Sequence, residues 1–157
     1  MKEKSYKLFE DADIKGILAL LSSELELKNE SPIWRERVVP FCSAILSILI
    51  PLKNNNLLFT PEGEHVEKLT PELFFRWSDF VSLKTLFFTI QKSNKEGVLL
   101  RTKIDSDMCQ KYKYIDLEEL NNYLAINNVN LENESLDFPI AVYNLHQGVS
   151  NVTKSLL

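Results

Sequence analysis

One segment constrains this chain more than any other: SPIWRERVVPFCSAILSILIPL, residues 31–52. Ser31 is a favourable N-cap, and Pro32 suits the first helical position because the N–H it lacks would have no partner there. Trp34, Val38, Phe41, Ile45, Leu49 and Leu52 then recur at helical spacing, and Val39, Cys42, Ala44, Leu46, Ile48 and Ile50 fill most of the remaining circumference. A helix apolar nearly all round is either the centre of a core or a membrane span. The uncharged run extends only from Val38 to Leu52, and a span needs about 20 such residues. Arg35, Glu36 and Arg37 precede the run, Lys53 follows it, and Pro40 and Pro51 interrupt it. The expectation is therefore a core helix with no direct membrane insertion, bent in its first turns where Pro40 cannot donate to the carbonyl of Glu36.

The remaining elements must cover that helix. Ile14, Ile17, Leu18, Leu21 and Leu25 predict a helix from about Asp11 to Leu25, preceded by a polar N-terminus of mixed charge. Residues 54–65, NNNLLFTPEGEH, read as a loop. Thr70-Pro71 repeats the cap-then-proline signal and opens a helix through Phe74, Phe75 and Trp77. Whether it breaks at Ser78-Asp79 is open; Phe80, Leu83, Leu86, Phe87 and Ile90 continue at helical spacing until Gly97. VLLRTKI could form a strand, but with no evident partner strand it is assigned irregular or helical structure. Asp116 to Glu119 resembles a capping box ahead of Leu117, Leu120, Tyr123, Leu124 and Ile126. Asp137 is expected to cap a last helix carrying Pro139 in its first turn, then Ile140, Tyr143, Leu145, Val149, Val152 and Leu156. With only 4 Gly and 6 Pro, hairpins are scarce. The predicted fold is a single all-α domain over residues 1–157, a bundle of five to seven helices around a central apolar helix. QGVSNVTKSLL stops in mid-pattern, which suggests a domain excised from a larger protein.

Composition narrows the chemistry. A net charge of −4 disfavours a general nucleic-acid binder. Residues 84–114 are nevertheless basic and 115–137 acidic, a segregation that can steer partners. The glycines, Gly16, Gly63, Gly97 and Gly148, lack phosphate-loop spacing and none precedes Lys, so no nucleotide hydrolysis is expected. Glu62, Glu64, His65 and Glu67 could hold a metal but read more simply as a solvated loop. His146 reads as a hydrogen-bonded structural histidine, and neither histidine has an evident nucleophile. Trp34 should pack inward with Arg35 and Arg37 solvated. Cys42 reads as a small buried hydrophobe. It and Cys109 lack metal-ligand spacing, which points to a reducing, cytoplasmic setting. The chain is read as a non-enzyme without cofactor or metal.

Three stretches resemble one family. SPIWRERVVPFCSAILSILIPL is similar to a segment of type IV secretion coupling proteins of the TraG/TraD group, where a Pro and an aromatic residue precede a long apolar helix containing small residues. LEELNNYLAIN resembles that family's helix leading to a short extended segment, and YNLHQGVSNVTKSLL resembles its last helix, with His146-Gln147-Gly148 departing from the family's order. About half the chain is covered; residues 53–114 match nothing in the family. The resemblance implies the all-alpha domain of a hexameric ATPase anchored in the bacterial inner membrane, with the nucleotide motifs lying elsewhere. It implies substrate recognition, with a secreted substrate or a protein adaptor (CagZ-like) and the rest of the coupling ATPase as partners, and adaptor binding as a control on subunit assembly. The docking surface is expected on Leu57, Leu58, Phe59, Phe74, Arg76, Trp77, Phe80 and Lys84. The alternative is a helical domain that contacts DNA or a relaxosome through the basic 84–114 segment.

Overall fold

A computed structural model of the chain describes residues 2–96, 98–99, 102–103, 112, 115–132 and 138–157. Among them lie seven helices: α1 (Lys2–Glu10), α2 (Ile14–Leu27), α3 (Pro32–Asn54), α4 (Pro71–Trp77), α5 (Phe80–Glu96), α6 (Glu118–Ile126) and α7 (Ile140–Leu156). The fold is all-α. One short antiparallel pair, β1 (Val98–Leu99) and β2 (Thr102–Lys103), follows α5, with Val98 opposite Lys103. The partner for VLLRTKI is thus the segment itself, folded back on its own backbone.

α3 is the axle. It packs against α2, α4, α6 and α7. From Val38 onward its buried residues include Phe41, Ile45, Leu46, Ile48, Leu49 and Leu52, which point in every direction around the helix. No helix among the described residues is long and apolar enough to cross a membrane. The charged and prolyl flanks of residues 31–53 thus mark a helix enclosed by other helices. Both Pro40 and Pro51 lie inside α3. Ser31 precedes the helix in extended conformation, but its side chain makes no cap bond; its carbonyl accepts from the Trp34 and Arg35 amides.

Four helix ends share one device. After α1, α2, α3 and α6 a single residue turns left-handed: Ala12 (φ 54°), Asn29 (φ 50°), Asn56 (φ 59°) and Asn128 (φ 61°). Each amide donates to the carbonyl three residues back, and the next amide reaches the carbonyl five back, as in Leu57 N to Leu52 O at 2.8 Å and Val129 N to Leu124 O at 2.9 Å. This Schellman arrangement satisfies carbonyls that a helix end would otherwise leave unpaired. Asparagine tolerates the left-handed region better than most L-residues, so a glycine-poor chain can still turn sharply between helices. Leu57 and Val129, the residues after two of these turns, are buried and pin the exits to the core.

Several boundaries differ from expectation. The polar N-terminus forms α1, because Ser5 and Phe9 on its inner side are buried and Phe9 meets the Phe74 ring edge-on at 5.6 Å. α2 starts later than Asp11: the Asp13 carboxylate caps it by accepting from the Gly16 amide at 2.9 Å. The chain does break at Ser78-Asp79, where Asp79 accepts from the Ser82 amide at 2.8 Å and starts α5. The capping box at Asp116–Glu119 does not form. Asp116 accepts instead from the Glu118 amide at 2.9 Å, while Glu119 accepts from the Ser43 hydroxyl on α3. Ile126 and Ile140, expected to face the core, are 79% and 77% exposed, and Tyr143 is exposed as well. The inner face of α7 is instead His146, Val149, Ser150, Thr153 and Leu156. Pro139 lies just before that helix. The expected stop at Gly97, cap at Asp137 and second cysteine Cys109 fall outside the described residues.

Candidate functional site

The residues expected to dock a partner are, with one exception, core. Leu57, Leu58, Phe59, Phe74, Trp77, Phe80 and Lys84 are all buried. The loop after α3 folds inward because its backbone is bonded there. The Trp77 indole donates to the Phe59 carbonyl and the Tyr112 hydroxyl to the Leu57 carbonyl, each at 3.0 Å. The Val66 amide donates to the Leu58 carbonyl at 2.9 Å. With its polar groups satisfied, a loop can be buried without penalty, and Phe59 then packs edge-on against Trp77 at 5.4 Å. Phe74 likewise packs edge-on against Phe41 at 5.9 Å. Lys84 is enclosed with its ammonium 6.0 Å from the Phe88 ring centre and 5.9 Å from that of Phe138, and burial lowers its pKa below the usual lysine range. Only Arg76 is exposed; it pairs with Glu62, whose carboxyl is held below its ordinary pKa first by a local backbone hydrogen bond and then by Arg76 and Thr60.

The other candidates are placed as follows. Trp34 is half-buried against the core and approaches α7 so closely that a Cβ on Gly148 would lie 2.8 Å from its Cη2. Arg35 and Arg37 are exposed. Cys42 is buried, and desolvation drives its thiol pKa far up. In the acidic loop, His65 Nε2 bonds the Asn56 carbonyl at 3.0 Å, and no metal-competent cluster occurs among the described residues. Of the basic 84–114 segment, the side chains of residues 92–111 and 113–114 lie outside the described residues.

His146 joins three elements. Its Nε2 lies 2.6 Å from the Ser78 carbonyl and its Nδ1 3.1 Å from the Tyr123 hydroxyl. A carbonyl can only accept, so Nε2 carries the proton and Nδ1 accepts from the phenol. The ring stacks on Phe80 at 3.8 Å, with Phe41 edge-on at 5.2 Å. Burial lowers the His146 pKa, opposed by the Ser78 carbonyl and the Asp79 charge; it raises that of Tyr123 above its usual value. A neutral imidazole and a neutral phenol in mutual hydrogen bonding brace α6, α7 and the α4–α5 junction. No nucleophile is activated by this pair.

Surface concavities remain, and two of them have aromatic side chains in their lining. One, of about 390 Å³, lies where α1, α4 and α7 converge. Tyr6, Pro71, Phe75 and Leu157 give it apolar walls, with Glu72, Arg76 and Lys154 as polar lining. The Lys154 ammonium stands 5.5 Å from the centre of the Phe75 ring. The second, of about 320 Å³, lies between the first half of α3, the end of α6 and the middle of α7. Residues 6, 71–76, 154 and 157 are scattered over the whole chain, and no spacing in the sequence brings them together. The one available signal was a second aromatic at Phe75, about 100° around α4 from Phe74.

No family model, curated protein or solved structure matches the chain.

Proposed function

We propose that this chain is a protein-recognition module, the all-alpha domain of a type IV secretion coupling protein of the TraG/TraD group. It recruits a secreted substrate, or the adaptor carrying it, to the secretion ATPase. The observation that carries the reading is the position of α3: the helix with the family-like sequence is the axle on which the other helices are assembled. Around such an axle only the outer faces are free for partners. The surface that suits docking is the α1–α4–α7 concavity, where apolar walls from Tyr6 and Phe75 are rimmed by Arg76 and Lys154. Interfaces of this kind combine an apolar centre containing aromatics with a polar rim that sets orientation. The style of the sequence further resembles the coupling protein of the Helicobacter cag system, for which a CagZ-like adaptor would be the partner. An adaptor seated there would control assembly by blocking contacts between neighbouring ATPase subunits.

The test is capture of purified secretion adaptors and substrates by the 157-residue chain. One of them should bind, and the double variant Arg76→Glu, Lys154→Glu should weaken that binding at least tenfold while the helical content is unchanged. Failure of every adaptor and substrate to bind would sink the proposal. Binding untouched by the double variant would move the surface elsewhere.

A further inference from the structure

The second concavity has a chemical character of its own. Its walls are Pro40 from α3, Ile126 from α6, and Leu145 and Val149 from α7. Ile126, mostly exposed, stands at this cleft. Glu36 and Arg37, adjacent on α3, line the same space. Neither side chain has an ion pair or hydrogen bond among the described residues. One negative and one positive group therefore face one small volume without being satisfied by each other.

Tyr123 supplies a third polar group, and its polarity is fixed from behind. Because His146 Nε2–H is committed to the Ser78 carbonyl, Nδ1 takes the phenolic hydrogen. The phenolic oxygen is left with lone pairs, so it can accept from a donor. Arg37 lies near enough for its charge to act on this hydroxyl. The Asn127 amide is already used, donating to the Tyr123 carbonyl at 2.8 Å. Asp79, behind the histidine, is occupied by the amide and hydroxyl of Ser82. The free groups are thus one cationic donor, one anionic acceptor and one neutral acceptor, beside an apolar wall.

A simple anion would leave Glu36 and the Tyr123 oxygen opposed by like charge or lone pairs. A simple cation would leave Arg37 so. We infer that the cleft binds a small zwitterion with an apolar side chain, a free α-amino acid of the leucine or methionine class. The carboxylate meets the Arg37 fork, a geometry that guanidinium favours. The ammonium is shared by Glu36 and the Tyr123 oxygen. The side chain lies between Leu145, Val149 and Ile126. The volume, about 320 Å³, falls at the small end of ligand sites, which run from roughly 300 to 1,000 Å³. Only a free amino acid carries both charges on one carbon, so the same chemistry divided between a peptide's two ends would not fit.

Isothermal titration of the 157-residue chain with L-leucine tests this, with N-acetylleucine and leucinamide as arms that each lack one charge and mimic a peptide's C- and N-terminus. Leucine should bind saturably, with Kd between about 10 μM and 1 mM as expected for so small a ligand. Each derivative should bind at least tenfold more weakly. Arg37→Gln and Glu36→Gln, both at exposed positions, should each cost tenfold or more, and Tyr123→Phe should cost less while keeping the wall. The absence of saturable heat up to about 10 mM leucine would overturn the inference. So would either derivative matching leucine, because the cleft would then be reading a peptide end.

Discussion

The two halves of α3 are made of similar backbone and opposite surroundings. From Phe41 to Leu52 the helix is enclosed, with eight of its residues buried and none exposed. From Pro32 to Pro40 only Val38 is buried, and Ile33, Arg35, Glu36, Arg37 and Pro40 are exposed. The difference lies in what surrounds each half. The enclosed half meets the inner face of α4 through Phe41 and Phe74 and shares one apolar cluster with α2 and the buried Leu57–Phe59 loop; the open half leaves clefts beside α6 and α7 and beside α2. Between them stands a polar seam, where His146 meets the edge of Phe41 and ties Tyr123 to Ser78. Stability is concentrated in one half, and chemistry accessible to solvent in the other.

The sharpest way to break this contrast is to remove packing from the enclosed half. Leu49→Ala deletes a fully buried side chain of the core cluster and leaves a cavity there. Urea denaturation should show a loss of about 2–5 kcal/mol. A loss below 1 kcal/mol would mean the helix is not packed all round.

A smaller effect is expected where the core depends on one polar contact. In Trp77→Phe the ring volume falls and the Phe59 carbonyl loses its donor. A buried acceptor without a partner costs about 1–3 kcal/mol. The same measurement, made alongside Tyr112→Phe at the Leu57 carbonyl, tests whether the buried loop is held by these two bonds separately. If they are independent the two losses add; if the loop leaves the core as a unit, the second substitution costs little after the first.

The polar seam predicts a pH dependence of definite sign. Desolvation holds the folded-state pKa of His146 below its unfolded value of 6.5. The unfolded chain then binds more protons than the folded one between the two values. Stability is therefore full above about pH 6.5 and declines as the pH falls toward the folded pKa. His146→Gln, which can still offer a donor and an acceptor, should flatten this decline between pH 7 and 5. An equal slope in wild type and variant would assign the acid sensitivity to other groups.

The enclosed half was legible because apolar residues at every angle of a helix admit few solutions. The helix starts at Pro32 and Pro71 were legible for a similar reason: proline at a helix start has a local stereochemical meaning, although the side-chain cap forms at Thr70 and not at Ser31. Helix α1 was hidden because its mean polarity conceals a short inner face supplied by Ser5, Leu8 and Phe9. The docking residues were misplaced for a different reason. LLF in a loop suggests exposure, yet burial was decided by donors at Trp77 and Tyr112, 18 and 55 residues away from the carbonyls they serve. Ile126 and Ile140 failed in the opposite sense. They continue an apolar period where the described residues leave it mostly uncovered, Ile126 at the edge of the cleft beside α3 and α7.

The smallest expected effect belongs to the open half, and its smallness is what separates binding from folding. Arg37 is exposed and its side chain holds no ion pair among the described residues. It also sits near the positive end of the α3 dipole, where a cation gains nothing. Arg37→Gln should therefore change the unfolding free energy by no more than about 0.5 kcal/mol, as surface substitutions do when they touch no special feature. Placed beside Leu49→Ala on the same helix, this gives one element with two susceptibilities, and denaturation curves read both. Should Arg37→Gln cost more than about 1 kcal/mol, twice the surface norm, the guanidinium is holding the fold and is not free for a ligand. The first half of α3 would then be a continuation of the core, and the contrast between the halves would fail at its open end.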